Sequence, residues 1–363
     1  MRYLKQEEKE TSRALWEAAF PEDSRSFDDY YFNEKLKDNR ILVKEENGEV
    51  ISMAHLNPYR VQVRGREYGL FYIVGVATKE ECRHRGHMRD ILTALLQDMR
   101  RERLPFTFLM PAAEAIYLPF GFRFIYDQAH WGWNMETAGE DSRLRRETYS
   151  AAQILADPRL IREIARWQQR FLEQRFEVLA VRDEAYIRRL MAELASENGF
   201  VSLLYRQEEG ETAIAAMESA WGLEKTEQRF LYGDETVTEE IKPKTPAIMA
   251  RITHLEEFAA SISLREDAPV EQMQVILTAF DRLIPENDGN FLWTLDKNSS
   301  TMEKLPDGWA FQAGEPAYSV YRLALSVEEL AQWLFGYRMP AEEMPQWFQW
   351  IRPLEGVCLD EVV

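Results

Sequence analysis

The sequence predicts an α+β protein of several domains, and three observations lead there. The chain has 363 residues, against about 100 to 200 residues for a typical domain. Its first third alternates short apolar, β-rich stretches with a helix of 3.6-residue period. Its middle third turns helix-rich before strands return. The composition, 45% hydrophobic and 29% charged, is that of an ordinary globular chain able to bury a large core.

The elements follow in order. Leu15, Trp16, Ala19 and Phe20 share one helical face over 11–20, and Pro21 ends that helix. ILV at 41–43 and VISMAHL at 50–56 flank Asn47-Gly48, the strongest short hairpin signal. VQV at 61–63, a turn at Gly65 and LFYIVGVA at 70–77 read as two more strands. After Gly86, Met88, Ile91, Leu92, Leu95, Leu96 and Met99 form the stripe of an amphipathic helix. PFTFLMP at 105–111, FGFRFIYD at 120–127 and HWGWNM at 130–135 read as strands. The aromatics Phe122, Phe124, Tyr126, Trp131 and Trp133 alternate along the last two and are expected mostly in the core. ETAGEDSRLRRE at 136–147 reads as a linker. Helices are expected near 150–156, 158–175 and 182–196, and strands at 199–206 and 211–216 around a polar turn at 207–210. KPKTP at 242–246 reads as a second boundary.

Charge and cysteine content exclude several classes. Lys and Arg number 44 against 62 Asp and Glu, a net charge of −18. That balance argues against a general nucleic-acid binder and favours cationic partners such as amines. Residues 251–363 hold 8 Lys+Arg and 19 Asp+Glu, so the acid excess sits mainly there. Two cysteines, Cys82 and Cys358, rule out a disulfide scaffold and point to a reducing compartment. The first twenty residues carry charge every few positions, unlike a signal peptide. No apolar run approaches the roughly 20 residues of a membrane span. A cytoplasmic protein with no membrane partner is expected.

The chemistry concentrates in LFYIVGVATKEECRHRGHMR at 70–89. A strand ends, a loop carrying Arg83, His84, Arg85 and Gly86 follows, and His87, Met88 and Arg89 open a helix. Amide groups at a helix start, together with the helix dipole, attract phosphates, and Gly86 lets backbone approach a ligand. The plain alternative is a solvated basic turn. Cys82, His84 and His87 lie close enough to raise zinc, but the neighbouring arginines argue against a bound cation, and no metal is expected. His55, His130 and His254 are scattered and read as structural or surface residues.

Element order adds to the loop. Arg83-x-x-Gly86-x-Met88 resembles the acetyl-CoA motif of the GNAT acetyltransferase superfamily, although Met88 stands where Gly or Ala is usual. The preceding helix, hairpin and long strand, the following FTFLMP strand, and Tyr117-x-x-Phe120-Gly121-Phe122 come in that family's order. A bulky residue at the last motif position, the chain length and the three-part layout resemble the enhanced intracellular survival (Eis-like) subfamily. The resemblance implies a catalytic GNAT domain at 1–137, a second GNAT-like domain without cofactor at 138–250, and a sterol-carrier-protein-like α+β domain at 251–363.

The same resemblance implies N-acetyl transfer from acetyl-CoA to a primary amine of an aminoglycoside, polyamine or lysine. Val76, Ala77 and Thr78 would meet the pantetheine arm, and Arg83 to Arg89 (Arg83, His84, Arg85, Gly86, His87, Met88, Arg89) the pyrophosphate. Tyr117 would act as the acid, and the terminal carboxylate of Val363 as the base. Glu114 is the rival base. A hexamer is also implied. Two other readings remain at this stage: a non-catalytic acyl-CoA sensor, and an apolar-ligand carrier working through the last domain.

Overall fold

A computed structural model describes residues 1–134, 142–208, 210–222, 229–306, 308, 320–340 and 344–361. Its first sheet draws on near and distant sequence. β1 (Arg2–Tyr3), β2 (Arg40–Glu46), β3 (Glu49–Val63), β4 (Arg66–Thr78) and β5 (Phe106–Leu109) lie side by side in chain order. The strand Thr238–Ile252 comes next, and β6 (Arg123–Trp133) lies outside it. β5 is parallel to β4, while Thr238–Ile252 runs antiparallel to both of its neighbours.

Helices α1 (Arg13–Ala19) and α2 (Arg25–Glu34) bury Leu15, Trp16, Phe27 and Tyr31 with Ile41, Val43 and Met53 of the sheet. Helix α3 (His87–Arg101) packs Ile91, Leu92, Leu95, Leu96 and Met99 against Leu42, Ala54, Leu56 and Ile73, the stripe that its periodicity predicts. A short helix α4 (Glu114–Tyr117) leads into a 3-10 turn at Leu118–Phe120.

A second sheet takes the order Arg229–Gly233, Glu211–Ala220, Phe200–Glu208, Leu144–Ser150. Helices Ala151–Leu155, Pro158–Glu173 and Glu184–Ser196 accompany it, close to the expected positions. A third four-stranded sheet holds Ser300–Lys304, Gly289–Asp296, Gln272–Phe280 and Val320–Ser326, the last parallel to its neighbour. The short strand Val178–Ala180 pairs with β3 on one edge and with Val357–Cys358 on the other. The last described residues are thereby fastened to the first sheet.

Several expectations are corrected. VQV is no separate strand, because β3 runs unbroken from Glu49 to Val63. Arg123–Asp127 of FGFRFIYD and His130–Trp133 of HWGWNM merge into β6, while Phe120 belongs to the preceding 3-10 turn and Met135 lies outside the described residues. Of the linker read at 136–147, Leu144–Glu147 lies in a strand and 136–141 fall outside the described residues. KPKTP is no boundary: it lies inside Thr238–Ile252, where register shifts flank Lys242, Thr245 and Pro246. A strand tolerates proline at such irregular positions because no ladder donor is needed there. Helix α2 has no counterpart in the sequence reading. Ser24 caps it by accepting from Phe27 N at 3.0 Å, while its aromatic residues disguise the helical pattern.

Candidate active site

The site begins where two parallel strands part. β4 pairs with β5 at one position, Tyr72 with Phe108. Beyond it β4 continues to Thr78, held on its other edge by β3 (Met53 with Ala77, Ser52 with Thr78), while β5 ends at Leu109. The edge of β4 through Val76 and Thr78 therefore runs on past its last pairing with β5. Ser52 Oγ donates to Ala77 O at 3.1 Å, fixing Ala77 toward β3. Arg83 Nε donates to Thr78 O at 3.3 Å, so that carbonyl is engaged within the chain itself.

A bulge shapes the same strand. The β3–β4 register shifts between Met53 and His55, and Gly75 has φ +59°. A Cβ there would stand 2.4 Å from the Trp16 ring, so only glycine admits that ring. The isolated glycine in LFYIVGVA was the available signal; the sequence reading passed over it. Trp16 carries the site outward, since its Nε1 donates to Asp23 at 3.0 Å. Asp23 and Asp28 stand with Glu197 around this point. Burial, reinforced by the neighbouring acids, raises the Asp23 carboxyl to about 6. Burial likewise raises Asp28 and Glu197. Asp28 Oδ1 is buried without a partner among the described residues.

At the end of β4 the chain turns through Glu80–Cys82 and enters α3. His84 (φ +62°) and Gly86 (φ +83°) take left-handed conformations. Arg83, His84, Arg85, Gly86 and Arg89 are exposed, and His87 and Met88 are half-buried. The helix begins at His87, so the amides of His87, Met88 and Arg89 lack acceptors one turn back. Among the described residues, no atom beyond its chain neighbours lies within 4 Å of where a Gly86 Cβ would be. Both ring nitrogens of His87 are buried with no partner among the described residues. Open space, unspent amides and an unpartnered imidazole together fit a phosphate-bearing chain laid across this loop.

Tyr117 ends α4 and is 8% exposed. Its ring packs edge-on to Phe122 at 5.9 Å, and burial alone lifts its hydroxyl to about 12. It lies close enough to Tyr72, at the parting of the strands, to raise that residue's pKa further. Glu114, the rival base, is exposed. It acts on Tyr337 and opens the same short helix that Tyr117 ends. Val363 lies outside the described residues, but Asp360 and Glu361 are buried. Arg182 Nη1 donates to Glu361 Oε1 at 3.0 Å, and Arg182 Nη2 reaches Asp360. Tyr186 adds a bond to Glu361 at 3.2 Å. The Glu361 carboxyl, raised by its burial, also bears on Tyr59 and Tyr72. Arg182, Asp360 and Glu361 were missed from sequence, since nothing local marks a contact across 178 residues. Among the described residues no three His, Cys, Asp or Glu side chains gather to hold a metal, and no helix is long and apolar enough to cross a membrane.

Residues 1–125 match the family model described as acetyltransferase (GNAT) domain. This part of the chain is a GNAT domain. It covers the parted strands, the Arg83–Arg89 loop and Tyr117, and it makes the protein an acetyl-CoA-dependent acetyltransferase. Three solved structures resemble the whole chain. A probable N-acyltransferase of Enterococcus faecalis V583 gives a TM-score of 0.71 at 16% identity, covering 97% of this chain and 93% of that one. A GCN5-related N-acetyltransferase from Kribbella flavida gives 0.64 at 16%, covering 92% and 90%. Eis1 from Mycobacterium abscessus gives 0.58 at 14%, covering 91% and 88%. At these identities the likeness is one of fold. No curated protein sequence matches the chain. The GNAT domain also departs from a self-contained unit: Thr238–Ile252, far beyond the matched residues, completes its sheet between β5 and β6.

Proposed function

We propose that the protein transfers the acetyl group of acetyl-CoA to a primary amine of a cationic acceptor: an aminoglycoside, a polyamine or a lysine. The observation that carries this reading is the opening between β4 and β5 beyond Tyr72, which leads to the Arg83–Arg89 loop on one side and to Tyr117 on the other. Acetyl-CoA supplies the activated acetyl group. Val76 and Thr78 line the opening with backbone, and the amides of 84–89 meet the pyrophosphate. Tyr117, held protonated by burial, donates to the departing sulfur, which requires close alignment because a phenol is the weaker acid of the two.

The acceptor reading is supported by Asp23, Asp28 and Glu197. Their raised carboxyls record desolvation and mutual repulsion, and an ammonium group placed among them would relieve both. Trp16 spans from this acidic group to the bulge at Gly75. For the base we propose the terminal carboxylate of Val363. It follows Glu361 by two residues in the sequence, and Glu361 is close enough to act on Tyr72.

The likeness to Eis1 across 91% of the chain supports an Eis-like layout with a sterol-carrier-protein-like part at 251–363. A hexamer in the cytoplasm completes the reading. A panel of aminoglycosides, polyamines and lysine peptides, incubated with acetyl-CoA and read by mass spectrometry, tests it. A gain of about 42 Da (one acetyl replacing one proton) on a primary amine, matched by thiol release, is the expected result. Tight acyl-CoA binding with no acetylated product from any amine would make the domain a sensor instead.

A further inference from the structure

Arg251 lies in Thr238–Ile252, outside the residues that match the acetyltransferase model, yet its side chain is spent on the turn that follows Tyr117. It is 1% exposed. Its Nε donates to Phe120 O at 3.1 Å, Nη1 to Ile252 O at 2.7 Å and Nη2 to Asp281 Oδ1 at 2.6 Å. The guanidinium lies close against Gly121, where φ is +79° and a Cβ would stand 2.7 Å from Nε. Glycine is thus required twice, for its conformation and for the approach of the guanidinium. The turn is closed by Gly121 N on Leu118 O at 3.0 Å and by Phe122 N on Tyr117 O at 3.4 Å. Phe122 is also the ring on which Tyr117 packs.

The other partner is equally committed. Asp281 Oδ1 accepts from Leu283 N and Ile284 N, both at 3.0 Å, and Oδ2 accepts from Asn287 Nδ2 at 3.1 Å. Leu283 and Ile284 belong to the same apolar cluster as Tyr117, Phe120 and Phe122. Gln97 of α3 reaches Leu283 O at 3.3 Å. A five-donor fork can serve two carbonyls and a carboxylate at once, which an ammonium on a flexible stem does less well. A fully buried ion pair adds little net stability over an apolar replacement, so a role in placing the turn gives the pair a reason to be there.

We infer that Arg251, held by Asp281, is a positioning residue for acetyl transfer: it fixes the Tyr117–Phe122 turn and thereby aims the Tyr117 hydroxyl at the reacting centre. The inference rests on Tyr117 being the acid. It acts through backbone placement, so its loss falls on kcat and spares acetyl-CoA binding. A displacement of about 1 Å at a reacting group can cost about 100-fold in rate.

The test is a double-mutant cycle on the best amine, with thermal melting to confirm folding. Arg251→Lys keeps the charge beside Asp281 but gives up the bond to Phe120. Alone it is expected to lower kcat by about 10- to 100-fold with KM for acetyl-CoA unchanged. In a Tyr117→Phe background it is expected to cost nothing further, because both changes remove the same contribution. A general structural role would lower kcat by the same factor in both backgrounds, and that result overturns the inference. So does an Arg251→Lys enzyme with wild-type kcat. If Tyr117→Phe alone keeps wild-type turnover, the tyrosine reading fails first and the inference falls with it. Should Arg251→Lys not fold, Asp281→Asn goes through the same cycle with the same criteria.

Discussion

Asp23 shows how a single residue ties the acceptor to pH. Its carboxyl sits near 6 in the folded protein, against 3.8 free, because burial and neighbouring acids oppose its charge. The proton it holds therefore stabilises the fold below about pH 4, and that contribution is lost as pH rises through 6. Binding of a cation runs the other way, since it needs the ionised form. Affinity for a polyamine such as spermidine is expected to rise between pH 5 and 7, where the amines stay charged, by at most about tenfold per unit for one proton. Asp23→Asn is expected to flatten the profile. Calorimetry across that range decides, and a flat wild-type profile would remove Asp23 from the acceptor site. At this scale the sequence was partly legible. Gly86 and Tyr117 stood in motifs of fixed spacing, and the structure places Gly86 in a left-handed turn just before α3 and Tyr117 at the end of α4. Trp16 was placed on a buried helical face, but its hydrogen bond to Asp23 depends on a turn and a helix that no periodicity announced.

Among the elements, the last described segment has the most consequence. Val357–Cys358 joins Val178–Ala180 as a parallel strand, and Arg182 then draws Asp360 and Glu361 into the interior. Arg182→Met leaves two buried carboxylates without their cation, a loss of about 3–5 kcal/mol in stability. Beyond a lower melting temperature, the C-terminal residues are expected to become open to carboxypeptidase while the core remains resistant. Equal resistance in wild type and variant would show that Arg182 does not hold the segment. Local patterns foresaw α3, the Asn47-Gly48 hairpin and the three helices after Ser150, because each is encoded within a few turns of chain. They misread KPKTP as a boundary. The strand Thr238–Ile252 earns its place by long-range pairing with β5 and β6, and prolines at its irregular positions imitate a linker.

At the scale of the whole molecule, the chain carries a net charge of −18. A field of that sign gathers cations, and salt screens it over a Debye length of about 8 Å at physiological ionic strength. The KM for a polyamine acceptor is expected to rise between low and moderate salt while the KM for acetyl-CoA does not rise with it. A flat polyamine KM would assign the charge to solubility alone. Distant parts of the chain bear on the GNAT domain: Arg251 and Asp281 brace the turn after Tyr117, and Arg182 anchors the last described residues. The most direct test of acetyl transfer through this arrangement is the turnover of Tyr117→Phe on the best amine, with acetyl-CoA affinity measured alongside. The account predicts that kcat falls by about 10²–10⁴, the usual share of general acid–base catalysis, with affinity for acetyl-CoA unchanged. Wild-type kcat in that variant would contradict it.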